Sequence, residues 1–488
     1  MSTLRQYSVG FSSSLGGLFT RDNFKSLLVF WLPVFLASAF IGLCCVILPW
    51  ILPLGLAAAI GYVATLFLLP WAGFGAYVVL AVVAPDFKIA DVLTVLTMAV
   101  LVFRLFVYKQ SAPALPPRLF FILTTFAAIV VVSFGLAIVY FHNSVSNIYR
   151  DGRVFLYWLW LPILWRMVAG HQEGLQKLVR VLLGVAFTVV LVAGFQWVSG
   201  IQIVATGLVA SLGATSGFNE SVTRVQMPGF LFVTWAIIWV CLQVLYKRIN
   251  LLLGGLMLLV LIAGLYVNFG RGLWTWTFIG VMIPLFFVGG GRSVKLIAVV
   301  ILGGLFSVAT LAIVKPSVLE NVSERLLSVQ NEGGRRTSYG WRALENRESL
   351  TTLQRSPAVG VGVGGEYRPW LHELRLFPDH VRYVHNSYLY VAVKLGIPGL
   401  LCLLALYWRS WNEARKRLPV VADQDRVPLL ACLAFLPASL GLSITQPELM
   451  NPYSILLFVA VIVIFAHASI LPLPEKTAAG RHKGSSWH

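Results

Sequence analysis

The sequence predicts an all-α polytopic membrane protein: a bundle of about twelve transmembrane helices (between twelve and fourteen) with one large extracytoplasmic helical loop. Three observations carry that expectation. Of the 488 residues, 58% are apolar and only 11% are charged, whereas soluble domains carry about 25% charged residues. The apolar residues fall in long runs, and the basic residues gather in alternate gaps between those runs. The net charge of +18 does not point to nucleic acid, because its charges are islands between apolar segments and not a patch on a polar domain.

A bilayer core of about 30 Å needs about 20 apolar residues per helix. Runs of that kind cover roughly 27–47, 93–108, 118–141, 154–169, 178–198, 229–246, 250–268, 272–289, 294–314, 386–408, 428–445 and 452–471. The stretch 49–84 is apolar but interrupted by Pro49, Pro53 and Pro70, so it reads as one span, two short spans or a re-entrant pair. Orientation follows from Lys and Arg, which short cytoplasmic loops collect. One set of gaps holds Arg104/Lys109/Arg118, Arg166/Lys177/Arg180, Lys247/Arg248, Arg292/Lys295 and Arg409/Arg415/Lys416/Arg417/Arg426. The opposite gaps hold few or compensated charges: Asp86/Lys88/Asp91, Arg150/Asp151/Arg153, Glu220/Arg224 and Arg271.

This pattern divides the chain into a cytoplasmic N-terminus (1–26), a first bundle segment (27–314), a large periplasmic loop (315–384), a last bundle segment (385–471) and a cytoplasmic tail (472–488). The first 26 residues are polar and do not read as a signal peptide. The large loop is too short for a full core of its own, and within it 317–330 and 340–355 read as amphipathic helices lying over the bundle. The five cysteines lie inside apolar stretches and read as small hydrophobes, not as disulfide or zinc ligands. Many of the 16 Trp fall at span ends, as an interfacial aromatic belt requires.

The densest chemistry stands where the large loop meets the next span, at Val384-His385-Asn386-Ser387-Tyr388 and on to Gly396-Ile397-Pro398-Gly399. Asn386 is a good N-cap, so a helix is expected to begin there, with its free N–H groups and positive dipole end offered to an anion such as phosphate. Residues 388, 392, 396 and 399 would share one face, with Gly396 and Gly399 admitting a neighbouring helix. His385 at the mouth is a candidate proton acceptor, against the plainer reading of an interfacial packing or capping histidine. Lys394 is expected to face away from that mouth and to stand nearly alone at depth.

Arginines gather at the same face. Arg271 lies between two glycines and two apolar runs, Arg224 precedes another span, and Arg336 and Arg342 fall in the large loop. The planar guanidinium fork suits phosphate and diphosphate oxygens, although each of these also reads as a headgroup anchor or an ion-paired residue. The run Gly360–Gly365 satisfies GxGxxG, but Glu366-Tyr367-Arg368-Pro369 follows it, so it reads as turns and not as a nucleotide site. No HExxH marks a metal. Glu448 reads either as a loop acid or as a second proton acceptor.

The segment His385-Asn386, nine residues, then Gly396-Ile397-Pro398-Gly399 resembles the signature His-[Asn/Ser/Gln]-x9-Gly-x-x-Gly of the O-antigen ligase family. The likeness extends over roughly 90–470. It takes in the Gly-Arg-Gly turn at 270–272 and the arginine-bearing helix ahead of Ser356-Pro357-Ala358-Val359-Gly360-Val361-Gly362. Asn346 stands where that pattern often has a tryptophan, which leaves Arg336 and Arg342 as alternatives for its arginine.

The resemblance implies a GT-C-like glycosyltransferase of the bacterial inner membrane with a periplasmic site, needing neither metal, cofactor nor nucleotide. Its donor would be O-antigen on undecaprenyl diphosphate, and its acceptor a sugar hydroxyl of lipid A–core. His385 would be the base, and Arg271, Arg342, Arg336, Arg224 and Asn386 would hold the donor diphosphate. An O-antigen polymerase, a protein-glycosylating relative and a polysaccharide or lipid transporter are the competing expectations.

Overall fold

The computed structural model describes residues 52–83, 87–108, 112–201, 203–204, 208–212, 222–287, 338–370 and 378–471, with isolated positions between 294 and 313. The expected spans 27–47 and 294–314, the expected helix 317–330, Arg336 and both terminal segments lie outside these residues, apart from those isolated positions.

The stretch 49–84 resolves into two helices, α1 (Leu52–Leu68) and α2 (Pro70–Val83). Pro70 opens the second, the helix position where a missing N–H is tolerated. Next come α3 (Phe87–Val107), α4 (Pro117–Val139), α5 (Val145–Leu156), α6 (Trp160–Ala169) and α7 (Gly174–Ser199). A short antiparallel hairpin follows, β1 (Leu208–Leu212) on β2 (Val222–Gln226), with Ala210 opposite Arg224. The chain continues through α8 (Phe230–Leu245), α9 (Leu251–Val267), α10 (Arg271–Met282), α11 (Ser338–Arg355), α12 (Ser387–Arg417), α13 (Asp423–Leu442) and α14 (Pro452–Ile470).

Among the described residues, six helices are long and apolar enough to cross a membrane: α3, α4, α7, α12, α13 and α14. Shorter apolar helices, including α2, α8 and α9, accompany them. The apolar residues are sorted as a bilayer demands. Helices α8 and α14 are buried on nearly every side and form the centre. Helices α3 and α4 turn Phe103, Phe106, Phe121 and Val139 outward. Trp160, Trp165 and Trp235 are fully buried and belong to the core.

Two charge groups read as loops are helical. Lys88 and Asp91 lie in the first turns of α3. Arg150, Asp151 and Arg153 lie on α5, whose Ser144 N-cap accepts from Asn147 N. The expected span 154–169 is therefore the end of an amphipathic helix, one 3-10 turn (Tyr157–Leu159) and the apolar α6. Inward-facing Asp91 accepts from Tyr149 Oη at 2.7 Å and from Arg153 at 3.0 Å.

Helix α12 is broken. Gly396 has φ 74° and ψ 173°, and Pro398 follows two residues later. The break removes the bond that would run from Ile397 N to Val393 O, and Pro398 has no N–H to offer Lys394 O. Each freed group finds another partner. Ile397 N donates to Pro357 O at 2.8 Å, and Val393 O accepts from Val361 N at 2.8 Å. Ser133 Oγ of α4 donates to Lys394 O at 2.9 Å.

The glycine-rich run 360–365 thus plugs the break, and it does so as turns. A Cβ on Gly396 would stand 2.0 Å from Ala358 O, and one on Gly360 would stand 2.0 Å from Val393 O. The shared face expected for 388, 392, 396 and 399 therefore does not exist, because Gly396 ends the helical register. Lys394 is not alone either. Fully buried, its Nζ reaches Asp151 Oδ2 at 2.7 Å and Gly365 O at 2.6 Å, tying α12 to α5 and to the plug.

Gly396→Ala should cost about 3 kcal/mol or more, since an ε-region φ/ψ and a backbone clash coincide. Gly135→Ala on α4, where a Cβ meets nothing within 4 Å, should be neutral or stabilising by up to about 1 kcal/mol. Thermal unfolding of the two variants in one detergent measures the difference.

Candidate active site

Asn386 caps α12 as its type predicts. Its Oδ1 accepts from Tyr388 N at 3.1 Å and from Leu389 N at 3.3 Å. Ser387 N donates to Ser443 O, and Tyr390 N to Asn386 O. The first-turn amides are thereby all engaged. The expectation of free N–H groups aimed at a phosphate is corrected: an anion here would have to be held by side chains.

His385 precedes the cap and sits against α11. Its Nδ1 lies 2.8 Å from Glu345 Oε2, and its backbone N–H donates to the same oxygen at 3.0 Å. The His385 side chain keeps 23% of its surface exposed, whereas that of Glu345 keeps none. One edge of the imidazole is therefore fixed from below while the ring stays reachable. Tyr383 packs edge-on to the ring at 4.9 Å.

Glu345 has a buried counterion in Arg368, which follows the glycine plug. The Arg368 guanidinium stands 3.6 Å from Glu345 Oε1 and 3.2 Å from Glu348 Oε2. It also donates twice to His380 O, at 2.9 and 2.7 Å, and lies 4.4 Å from the Trp341 ring. Arg342, Glu345 and Glu348 recur every three residues, which places them along one side of α11. Tyr383 feels this cluster: burial raises its pKa most, the charges of Glu345 and Glu448 raise it further, and Arg342 lowers it.

Arg271 arrives from the other side. It is the first residue of α10, after a turn in which buried Phe269 adopts φ 51° and packs on Tyr266 and Trp274. Gly272 borders Leu442, Thr445 and Gln446. Ser387 at the head of α12 grips the same turn, donating from Oγ to Gln446 O at 2.8 Å and accepting from Leu449 N at 3.1 Å.

The turn 443–450 thus touches the starts of both helices, those carrying Arg271 and His385. Glu448 in that turn accepts from Ser454 Oγ at 2.5 Å, and burial raises its carboxyl pKa. Val225 O accepts from Asn268 Nδ2 at 3.5 Å, so strand β2, which carries Arg224, meets the Arg271 turn.

The structure therefore brings together His385, Asn386 and Arg271 around one turn, with Arg342 beside Tyr383 and the Arg224 strand adjoining. Sequence reasoning missed Glu345 and Arg368. The three-residue spacing of Arg342, Glu345 and Glu348 was visible, but nothing in it told which acid would meet His385.

Residues 256–404 match a family model described as O-antigen ligase, and the match supports that family for this chain. It takes in Arg271, Arg342, Glu345, Arg368, His385 and the break at Gly396, and leaves Arg224 and Glu448 outside. No curated protein matches the chain.

Arg368→Met should destabilise by about 3–5 kcal/mol, because it strands a fully buried carboxylate. Arg368→Lys should recover only part of that, since an ammonium cannot span two carboxylates and a carbonyl in one plane. Unfolding midpoints of the detergent-solubilised variants give the order wild type, Lys, Met.

Proposed function

We propose that this protein is an O-antigen ligase of the bacterial inner membrane. It moves O-antigen polysaccharide from undecaprenyl diphosphate to a sugar hydroxyl of lipid A–core at the periplasmic face. The observation that carries this reading is the contact of the His385 and Arg271 helix starts, both within the stretch that matches the ligase family, with the one turn at 443–450. A lipid-borne donor suits a helical bundle whose polar groups collect at one end.

In the reaction, the acceptor hydroxyl gives its proton to His385 while its oxygen attacks the anomeric carbon. The bond from that carbon to the diphosphate oxygen breaks, and the leaving diphosphate keeps the electron pair. Arg271, with Arg342 and Arg224, supplies fixed positive charge where that negative charge grows. A single displacement of this kind inverts the anomeric centre. Arg336 remains a further candidate from the large loop. The multi-pass fold and the alternating basic gaps support a placement with both termini cytoplasmic.

A polymerase would draw on the same donor but extend a second lipid-linked glycan, and a deletion strain separates the two. For a ligase, lipid A–core loses all O-chain while long polymer collects on the carrier lipid. Core bearing a single repeat would mean polymerase, and an unchanged ladder would reject both. In membranes, His385→Ala should lower transfer by roughly 10²–10⁴-fold, the usual contribution of a general base. Arg271→Ala should lower it as well, and full transfer by both variants would remove the assignment.

A further inference from the structure

We infer that Glu345 is a positioning residue that locks His385 with its proton on Nδ1, leaving Nε2 as the atom that accepts the acceptor's proton. The inference rests on the reading of His385 as the base and deepens it. Glu345 Oε2 already accepts the His385 backbone N–H at 3.0 Å, so it meets the ring at 2.8 Å as an acceptor. A neutral imidazole has one donor and one acceptor nitrogen. With Nδ1 donating to Glu345, Nε2 carries the lone pair.

The backbone contact adds a second constraint. One carboxylate oxygen grips both the main chain and the ring of His385, which fixes the ring's position and its tautomer together. Asn386 then fixes the next residue to the helix start, so the ring cannot turn with the loop.

Arg368 completes the device. Glu345 and Arg368 both have side chains with no exposed surface, an arrangement that costs desolvation and that apolar packing of equal volume would avoid. Arg368 stands 3.6 Å from the other oxygen, Oε1, as an ion pair, and is itself held by Glu348, His380 O and Trp341. Its charge favours the orientation that keeps Oε2 toward His385. When His385 takes the proton from the acceptor hydroxyl onto Nε2, the resulting imidazolium faces a fixed anion 2.8 Å away. The same arrangement steadies an imidazolium in hydrolases that pair histidine with a buried carboxylate.

Glu345→Gln tests the proposal. An amide offers one acceptor oxygen where the carboxylate offered two, and it removes the anion that faces the imidazolium, whereas Glu345→Leu removes the acceptor altogether. In the full-length protein, ¹⁵N-labelled at histidine and assigned by difference with His385→Gln, the wild type should show Nδ1 protonated and Nε2 bare. In Glu345→Leu, which leaves Nδ1 no carboxylate to donate to, Nδ1 should lose that protonation. Turnover of Glu345→Gln should fall by roughly 10²-fold, the lower end of a general base's contribution, at an unchanged KM for the lipid-linked donor, and Glu345→Asp should restore part of it.

A wild-type ring protonated on Nε2 would overturn the proposal, and that measurement needs no variant to fold. So would an unchanged tautomer in Glu345→Leu, or full turnover by Glu345→Gln while His385→Ala is inactive. Full turnover by His385→Ala would instead strike at the underlying reading of the base.

Discussion

A bilayer offers no water to unpaired backbone groups, so a helix broken within it must find partners in the protein. Helix α12 breaks at Gly396, and the rest of the site depends on how that break is closed. Val393 O, Lys394 O and Ile397 N all lose their helical partners, and all are recovered by groups distant in sequence. Two of those partners lie in the Pro357–Val361 segment, which fixes the path of the glycine run that follows. That run ends at Gly365, whose carbonyl accepts from Lys394, and three residues later it delivers Arg368 to Glu345. The break in the helix and the orientation of His385 are therefore linked by one short piece of chain.

The buried charges at this end form separate groups, each holding one helix to the next. Asp151 receives Lys394 and, at 3.6 Å, Arg382, joining α5 to α12 and to the segment just before His385. Asp91 receives Tyr149 and Arg153, joining α3 to α5. Arg368 bridges Glu345 and Glu348. Each pair costs desolvation, and each sets a unique register that apolar helices sliding in lipid would lack. The proposed glycosyl transfer, with Arg271 and His385 at two helix starts that touch one turn, needs that register more than it needs added stability.

Much of this was legible in the sequence, element by element. The apolar runs located most of the helices, because composition alone decides what a bilayer accepts. Asn386 identified the start of α12, because its short side chain answers a local need two and three residues on. The glycine run was correctly read as turns and not as a nucleotide loop. Gly396, by contrast, was placed on a smooth helix face, because a glycine spaced at the helical period gives no sign that φ is positive. The charges at 150–153 looked like a loop between spans, because an amphipathic helix leading into an apolar one blurs the boundary that hydropathy marks.

Local sequence accounts for most of the apolar helices and for the place where the histidine-bearing helix begins. Both follow from local composition or near-neighbour hydrogen bonding. Only the tertiary structure decided that Glu345, 40 positions away, meets His385, that Asp151 answers Lys394, and that the first-turn amides of α12 are already engaged. Those pairings join segments far apart in the chain. Several acids and bases of equal chemistry competed for each partner, and packing alone chose among them.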